Sequence, residues 1–230
     1  LRKESYGAGL IYFTGSKDHN IELRKIAIKK GLKLNEYGLY RGDKAVAGRD
    51  DSQVYSYLGL EYIPPEMREN GGEIGAAMDG KIPDLIEEKD IKGDLQIQTR
   101  WTDGENTIME YAEAAMEKGL KYILITDHSK RLAMTGGLDE RKLKQQGKEI
   151  DKINRILADK GKDFRVLKGI ECDILKDGSL DLSDDALAEL DIVGVAVHSY
   201  FNLPAAQQTE RMIRAMENEN ADIVFHPTSR

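Results

Sequence analysis

Three of the four histidines in this 230-residue chain stand directly after short apolar runs. Ile123-Leu124-Ile125-Thr126 leads into Asp127-His128, Val193-Gly194-Val195-Ala196-Val197 into His198, and Ile223-Val224-Phe225 into His226. A further run, Val166 to Ile170, ends at Glu171. Imidazole and carboxylate groups converging on one point are the donor set of a di- or trinuclear metal site. Such a cluster generates hydroxide and clamps a phosphate ester for hydrolysis. Each residue taken singly also reads as a polar strand cap; the regular recurrence is what points to a shared site.

A second constellation lies near the start. Tyr12-Phe13-Thr14-Gly15-Ser16 precedes Lys17, His19, Asn20 and Arg24. Glycine between two hydroxyl residues permits a tight turn and a close backbone approach to a ligand. Tyr12 and Phe13 offer flat faces that can pack on a sugar or base. Asn20 and Arg24, four apart, share a helical face and could reach base edges together. The competing reading is a surface helix with routine basic residues behind a core aromatic pair.

The elements that must position these residues differ between the two halves. In the first, the apolar spacing of Ile21, Leu23, Ile26, Ala27 and Ile28 predicts a helix capped by Ser16 and ended by Gly31. Leu32 to Tyr40 alternates as a strand, Arg41–Lys44 reads as a turn before Ala45–Ala47, and a short helix runs through Val54, Tyr55 and Leu58. This is a small α+β domain over 1–63, followed by an acidic, glycine-containing linker over 64–90. In the second half, candidate strands at 95–99, 121–126, 164–170, 191–197 and 221–225 alternate with helical stretches near 106–118, 139–160, 184–190 and 205–219. That rhythm predicts α/β architecture with parallel βαβ units over 91–230. If the strands are parallel, their C-terminal ends open on one face, where barrel enzymes carry their sites. Five strands are too few to close an eight-stranded barrel, so the domain is expected to continue past Arg230. Together with the Leu1 start, this makes the chain read as a fragment.

Charge sharpens the division. The total is -7, which taken alone argues against a nucleic-acid partner. Yet residues 1–49 hold 11 Lys+Arg against 5 Asp+Glu, whereas 50–90 hold 3 against 11. A basic block followed by an acidic one suggests two units with different partners, and the basic block is where a phosphate backbone would be met. Cys172, the single cysteine, rules out an internal disulfide and suggests a reducing, cytoplasmic setting; no apolar run approaches a membrane span.

Two resemblances cover most of the chain. The segment from Gly93 to Gly104, then Thr126-Asp127-His128-Ser129, Gly169-Ile170-Glu171-Cys172-Asp173, Val197-His198-Ser199 and His226-Pro227-Thr228, resembles in order the motifs of the polymerase-and-histidinol-phosphatase (PHP) domain. That resemblance implies metal-ligand roles for Asp103, His128, Glu171, His198 and His226, with zinc or manganese as the ion, and a phosphoesterase or 3′-to-5′ exonuclease chemistry. Tyr12-Phe13-Thr14-Gly15-Ser16, Asn20, Arg24 and Asn35-Glu36-Tyr37 resemble the nucleotide-selecting thumb of family X DNA polymerases. It implies that Tyr12, Phe13, Gly15 and Asn20 meet the incoming dNTP, with a cis peptide at Gly15-Ser16. Arg24 would touch template DNA, and Glu36 and Tyr37 would hold Arg24 in alternate positions.

The pattern departs from the PHP family at one place. The first motif there has His-x-His, and this chain has Gln96 and Gln98. An amide oxygen is a weak, neutral ligand for ions that prefer imidazole, so the site is expected to be metal-poor. The three palm aspartates with which family X polymerases hold two Mg²⁺ ions are absent from the chain. The leading expectation is therefore part of a gap-filling repair polymerase. The alternatives are a PHP domain serving as a non-catalytic DNA-binding scaffold, or a free-standing metal-dependent phosphoesterase.

Overall fold

A computed structural model of the chain describes residues 2–228 and divides into two compact units, Leu1–Leu85 and Ile86–Arg230.

The first unit opens with a helix that its sequence does not advertise. α1 spans Tyr6–Thr14 despite Gly7 and Gly9, both poor helix formers. Gly7 earns its place by contact: a Cβ there would lie 2.2 Å from the Asp50 carbonyl carbon, so only glycine lets α1 approach that backbone. α2 (Lys17–Lys29) begins where expected, with Ser16 Oγ accepting from the His19 N–H at 3.1 Å, and the chain leaves it through Gly31 at φ 69°. The anticipated single strand over 32–40 is a hairpin instead. β1 (Lys33–Asn35) and β2 (Gly38–Arg41) pair antiparallel, because Asn35 Oδ1 accepts the N–H groups of Tyr37 and Gly38 and closes an Asx turn. β3 (Lys44–Ala47) completes a three-stranded meander, and α3 (Asp51–Tyr57) follows, capped by Asp50.

The expected linker over 64–90 is corrected over most of its length. α4 (Glu73–Asp79) buries Ile74 and Ala77 in the same core as Leu23, Leu39, Val54 and Tyr55. Its acidic composition concealed an apolar i, i+3 pair on one helical face.

The second unit follows the predicted rhythm closely. β4 (Gly93–Ile97), β5 (Tyr122–Ile125), β6 (Arg165–Asp173), β7 (Ile192–Ala196) and β8 (Ile223–Val224) form one parallel sheet in sequential order. The crossovers carry α5 (Ile108–Glu117), α6 (Glu140–Asp159), α7 (Asp184–Leu187) and α8 (Ala205–Met216). Sequential order without a reversal is the arrangement of a (β/α) barrel rather than of a doubly wound sheet. α5 starts at a capping box, with Thr107 and Glu110 satisfying each other's end of the first turn. Apolar clusters on the sheet hold the strands rigidly, with Ile123, Ile125, Ile150 and Val166 in one and Ile170, Val193, Val195 and Leu187 in another. Among the described residues, no helix is long and apolar enough to cross a membrane.

Candidate functional site

The parallel sheet delivers its strand-end residues to a common cavity of about 750 Å³, lined by Gln96, Gln98, Asp103, Tyr111, His128, Glu171, His198 and His226 among others. Glu171 is its centre. The side chain is buried, and its Oε1 accepts from His198 Nε2 at 3.0 Å and lies 2.6 Å from His226 Nε2. The other oxygen, Oε2, accepts from Gln96 Nε2 at 3.1 Å and Gln98 Nε2 at 2.8 Å. Both amides reach it from the end of β4, Gln96 within the strand and Gln98 one residue past it. Burial pushes the Glu171 carboxyl up, but the hydrogen bonds from His198, His226 and Gln96 and the nearby His128 outweigh it and hold the group down at about 2. His198 moves the other way, raised to about 9 by its hydrogen bonds to Asp173 and Glu171. The pair is thus a carboxylate and an imidazolium near neutral pH.

His128 stands apart from this bonding. Its Nδ1 is buried without a hydrogen-bond partner among the described residues, 3.8 Å from Glu171 Oε2, and its Nε2 is 3.6 Å from Asp103 Oδ2. An unpartnered buried ring nitrogen is costly, and it points to a ligand. One donor atom each from His128, Glu171 and His198 lies within 4.8 Å of the other two, so these three could hold a single metal ion. Of the five residues anticipated as ligands, the structure therefore groups three as a candidate ion site. His226 joins them on the shared carboxylate, whereas Asp103 is near only His128 and is about half exposed. A cluster of two or three ions fits poorly, since the Gln96 and Gln98 amides present N–H groups, not lone pairs, to the centre. His226 itself sits at φ 34°, an uncommon backbone state for a non-glycine residue.

Two carboxylates that the sequence did not single out do the positioning. Asp127 is fully buried and accepts from the Thr99 N–H and Oγ1 at 2.7 Å each, from Gln146 Nε2 at 2.6 Å, and from the Thr102 hydroxyl. It ties the loop carrying Asp103 to β5 and α6. Asp173, likewise buried, accepts the His198 N–H at 3.1 Å and an ion pair from Arg131 Nε at 3.2 Å. Their signal was adjacency, Asp127 one residue before His128 and Asp173 two after Glu171. Cys172 is buried, its thiol donating to Asp181 and its pKa pushed well up by burial.

In the first unit, the Tyr12–Ser16 segment ends α1 and enters α2 through extended backbone at Gly15. The Gly15-Ser16 peptide is trans, contrary to the cis form anticipated from resemblance. In this form the Ser16 N–H donates to Arg68 O at 2.7 Å, and Gly15 O accepts from Asn20 Nδ2 at 3.0 Å, so both sides of the peptide are satisfied. Asn20 is buried, and its Nδ2 also meets Tyr12 O at 3.2 Å and Ser16 O at 3.1 Å. The side chain read as a base-edge contact is thus committed, through its nitrogen, to shaping the turn.

Arg24 is exposed, with its guanidinium 6.0 Å from the centre of the Tyr12 ring. Among the described residues it makes no hydrogen bond to Glu36 or Tyr37, which sit on the β1–β2 turn. Phe13 is 73% exposed, a large apolar ring left in solvent beside Tyr12. His19, grouped in the sequence with the basic helix residues, is instead fully buried. Its Nδ1 donates to Glu73 Oε1 at 2.5 Å and its Nε2 lies 3.0 Å from the Tyr55 hydroxyl. Burial lowers the His19 pKa more than Glu73 raises it, which keeps the ring neutral. Arg68, also fully buried, donates to Thr14 Oγ1, Ile63 O and Asp51 Oδ2. Only its position as a lone arginine in an acidic stretch could have flagged it.

Comparison with known proteins finds similarity along the whole chain. Residues 9–69 match the family model for the DNA polymerase beta thumb. Over 232 aligned residues the chain is 44% identical to the DNA polymerase/3′-5′ exonuclease PolX of Bacillus subtilis (strain 168), which covers 100% of this chain and 40% of that protein. A stretch of 65 residues, 28% of the chain, is 37% identical to 11% of DNA polymerase IV of Saccharomyces cerevisiae. A stretch covering 55% of the chain is 33% identical to 48% of a probable phosphatase of Shewanella sediminis. The chain thus spans less than half the length of each of these relatives. With a beta-type thumb and a phosphatase-like parallel α/β unit joined in one chain, the chain is similar from end to end to part of a DNA polymerase/3′-5′ exonuclease of the PolX kind.

Proposed function

We propose that the chain supplies the nucleotide- and template-facing thumb of a gap-filling repair polymerase together with a PHP-type domain that has lost most of its metal chemistry. The thumb reading rests on the Tyr12–Ser16 turn. There, Gly15 lets backbone approach the sugar of a dNTP, Tyr12 and Phe13 flank it, and Asn20 shapes it while presenting Oδ1 to the minor-groove edge. Arg24, exposed above Tyr12, meets the template strand; Glu36 and Tyr37 act on it only after a change from the conformation described. The polymerising carboxylates and their Mg²⁺ ions would come from a palm outside the 230 residues. In the full polymerase, Arg24→Ala should lower correct nucleotide insertion by tenfold or more. An unchanged insertion rate and fidelity would remove the thumb assignment.

For the second unit, one observation carries the reading: Glu171 has four protein neighbours within hydrogen-bond distance, two of them the amides of Gln96 and Gln98. A carboxylate so occupied has little need of a cation. His128, Glu171 and His198 would hold at most one zinc or manganese ion, with Asp103 and His226 at its margin. Such an ion, when bound, would supply Lewis acidity toward a phosphoryl oxygen. The chain's own part is to aim Glu171 and His198 into the cavity and to leave His128 Nδ1 open. Titration with Zn²⁺ or Mn²⁺, read by equilibrium dialysis, should find no more than one ion, weakly held. Gln96→His with Gln98→His should raise both stoichiometry and affinity, and should bring 3′-to-5′ cleavage of a single-stranded oligonucleotide with it. Two tightly held ions in the native sequence would overturn the metal-poor reading. The same oligonucleotide bound without cleavage would favour the scaffold alternative.

A further inference from the structure

The loops that follow β5 and β7 each carry a cavity residue and then a residue of quite different chemistry. His128 is followed three residues later by Arg131, and His198 two residues later by Tyr200. These second residues meet. Arg131 NH2 donates to the Tyr200 hydroxyl at 3.0 Å, and its guanidinium carbon is 5.2 Å from the ring centre. Lys176 Nζ lies 6.0 Å from the same ring, and the buried Arg211 guanidinium 5.8 Å from it.

Arg131 is fixed from several directions and still reachable. Its Nε pairs with Asp173, its backbone N–H donates to Asp181 Oδ2 at 2.8 Å, and its side chain is 38% exposed. Among the described residues its NH1 has no acceptor, so a pair of N–H donors on a partly exposed side chain is left for a ligand. Lys176 is exposed and has no carboxylate partner among the described residues. Of the three local acids, Asp173 is turned inward to the His198 backbone and Asp181 to Cys172 and the Arg131 backbone, whereas Asp177, beside Lys176, is exposed and has Arg214 at 3.9 Å as its counter-charge. Arg211 is spent on the carbonyls of Leu175, Ile174 and Ser199, so it stiffens the loop and leaves ligand contact to the other two. Tyr200 sits at φ 57°, and Phe201 beside it is 61% exposed. A non-glycine residue in the left-handed region next to an exposed aromatic ring is strain maintained by surrounding contacts.

We infer that Arg131 and Lys176, gathered around Tyr200, form a phosphate-binding site for a single nucleic-acid strand reaching the cavity, with Phe201 as its stacking surface. The site rests on the proposal that the second unit meets DNA, and it works whether or not an ion is bound. A pre-oriented arginine holds a phosphate through paired N–H donors, a lysine adds a point charge, and an exposed ring accepts any base. Asp173 links this site to the cavity, since it bonds both Arg131 and His198.

The test uses the full chain carrying Arg24→Ala, which weakens the thumb's own contacts, and a fluorescein-labelled single-stranded oligonucleotide of about 12 nucleotides. Anisotropy is followed over about 50–200 mM salt. Arg131→Ala with Lys176→Ala should weaken binding at least fivefold at low salt and flatten the log–log salt slope by about 1.4, the share of two single-strand phosphates. Lys176→Glu alone, at an exposed position with no folding role, should weaken binding in the same direction. Unchanged affinity and slope in both variants would refute the site while leaving DNA binding by the second unit intact. No binding by the Arg24→Ala chain itself would refute both. An NMR shift at the Arg131 Nε–H with inorganic phosphate but not with oligonucleotide would overturn the nucleic-acid assignment.

Discussion

Each unit contains a carboxylate–histidine pair at a crucial place, yet the two pairs have opposite fates. In the thumb, His19 is sealed between Glu73 and Tyr55, and burial outweighs its anion, so the ring stays neutral and only holds the first turn of α2. In the α/β unit, His198 borders a cavity and has two carboxylates against it, Asp173 and Glu171, so it carries a proton to about pH 9. Identical chemical groups therefore become a structural clasp in one place and a reachable, charged site in the other. What decides between them is the balance of desolvation against nearby charge, and whether a strand end or a helix turn presents the ring.

That contrast can be broken most sharply at Arg68. Truncation to alanine removes a fully buried cation and leaves the part-buried Asp51 without its partner, and should cost about 3–5 kcal/mol in urea unfolding monitored by circular dichroism. A loss below about 1 kcal/mol would mean that the thumb's buried network is not structural. At the other pair, Glu171→Gln should drop the His198 pKa from about 9 well toward the ordinary imidazole value. Asp173, still in place, should keep it above that value. Histidine NMR titration reads this directly, and an unmoved pKa would make Asp173 its sole cause.

Acid should separate the units. His19 has a lowered pKa, so its contribution is full above pH 6.5 and is lost as pH falls below that value. His198 has a raised pKa, so its contribution is full below pH 6.5 and is lost as pH rises through about 9. Glu171 contributes fully above about pH 4.5 and loses this only as pH falls toward about 2. Between pH 6.5 and 4.5 the thumb should therefore weaken while the α/β unit does not. Trp101, the single tryptophan, reports the second unit by fluorescence, and amide exchange in α2 reports the first. Parallel loss in both would dissolve the contrast. The smallest expected effect is Ser16→Ala, which removes the α2 cap at a cost of about 1 kcal/mol and should slow no step in the α/β unit.

Much of the second unit was legible in the chain itself. β5 and β7 are apolar runs buried along nearly their whole length, and polar residues just past them mark where the sheet stops. The order of elements then forces the strand ends onto one face, so His128, Glu171, His198 and His226 could be grouped before any coordinates. The thumb was less legible. Its core draws on Ile74 and Ala77 from a stretch whose charge reads as linker, and α1 tolerates glycines because it must pass close to Asp50.

The sequence by itself determined the two-unit plan, the parallel strand order and the replacement of two imidazoles by Gln96 and Gln98, because these depend on local periodicity and on residue identity. Only the tertiary structure decided how those residues are used. It turned both glutamine amides onto Glu171 Oε2 and left His128 Nδ1 unpartnered. It spent the Asn20 nitrogen on the turn, sank His19 into the core and brought Arg131 to Tyr200. Hydrogen-bond partners and desolvation belong to distances across the fold, between residues as far apart as Gln96 and Glu171, and no local pattern encodes them.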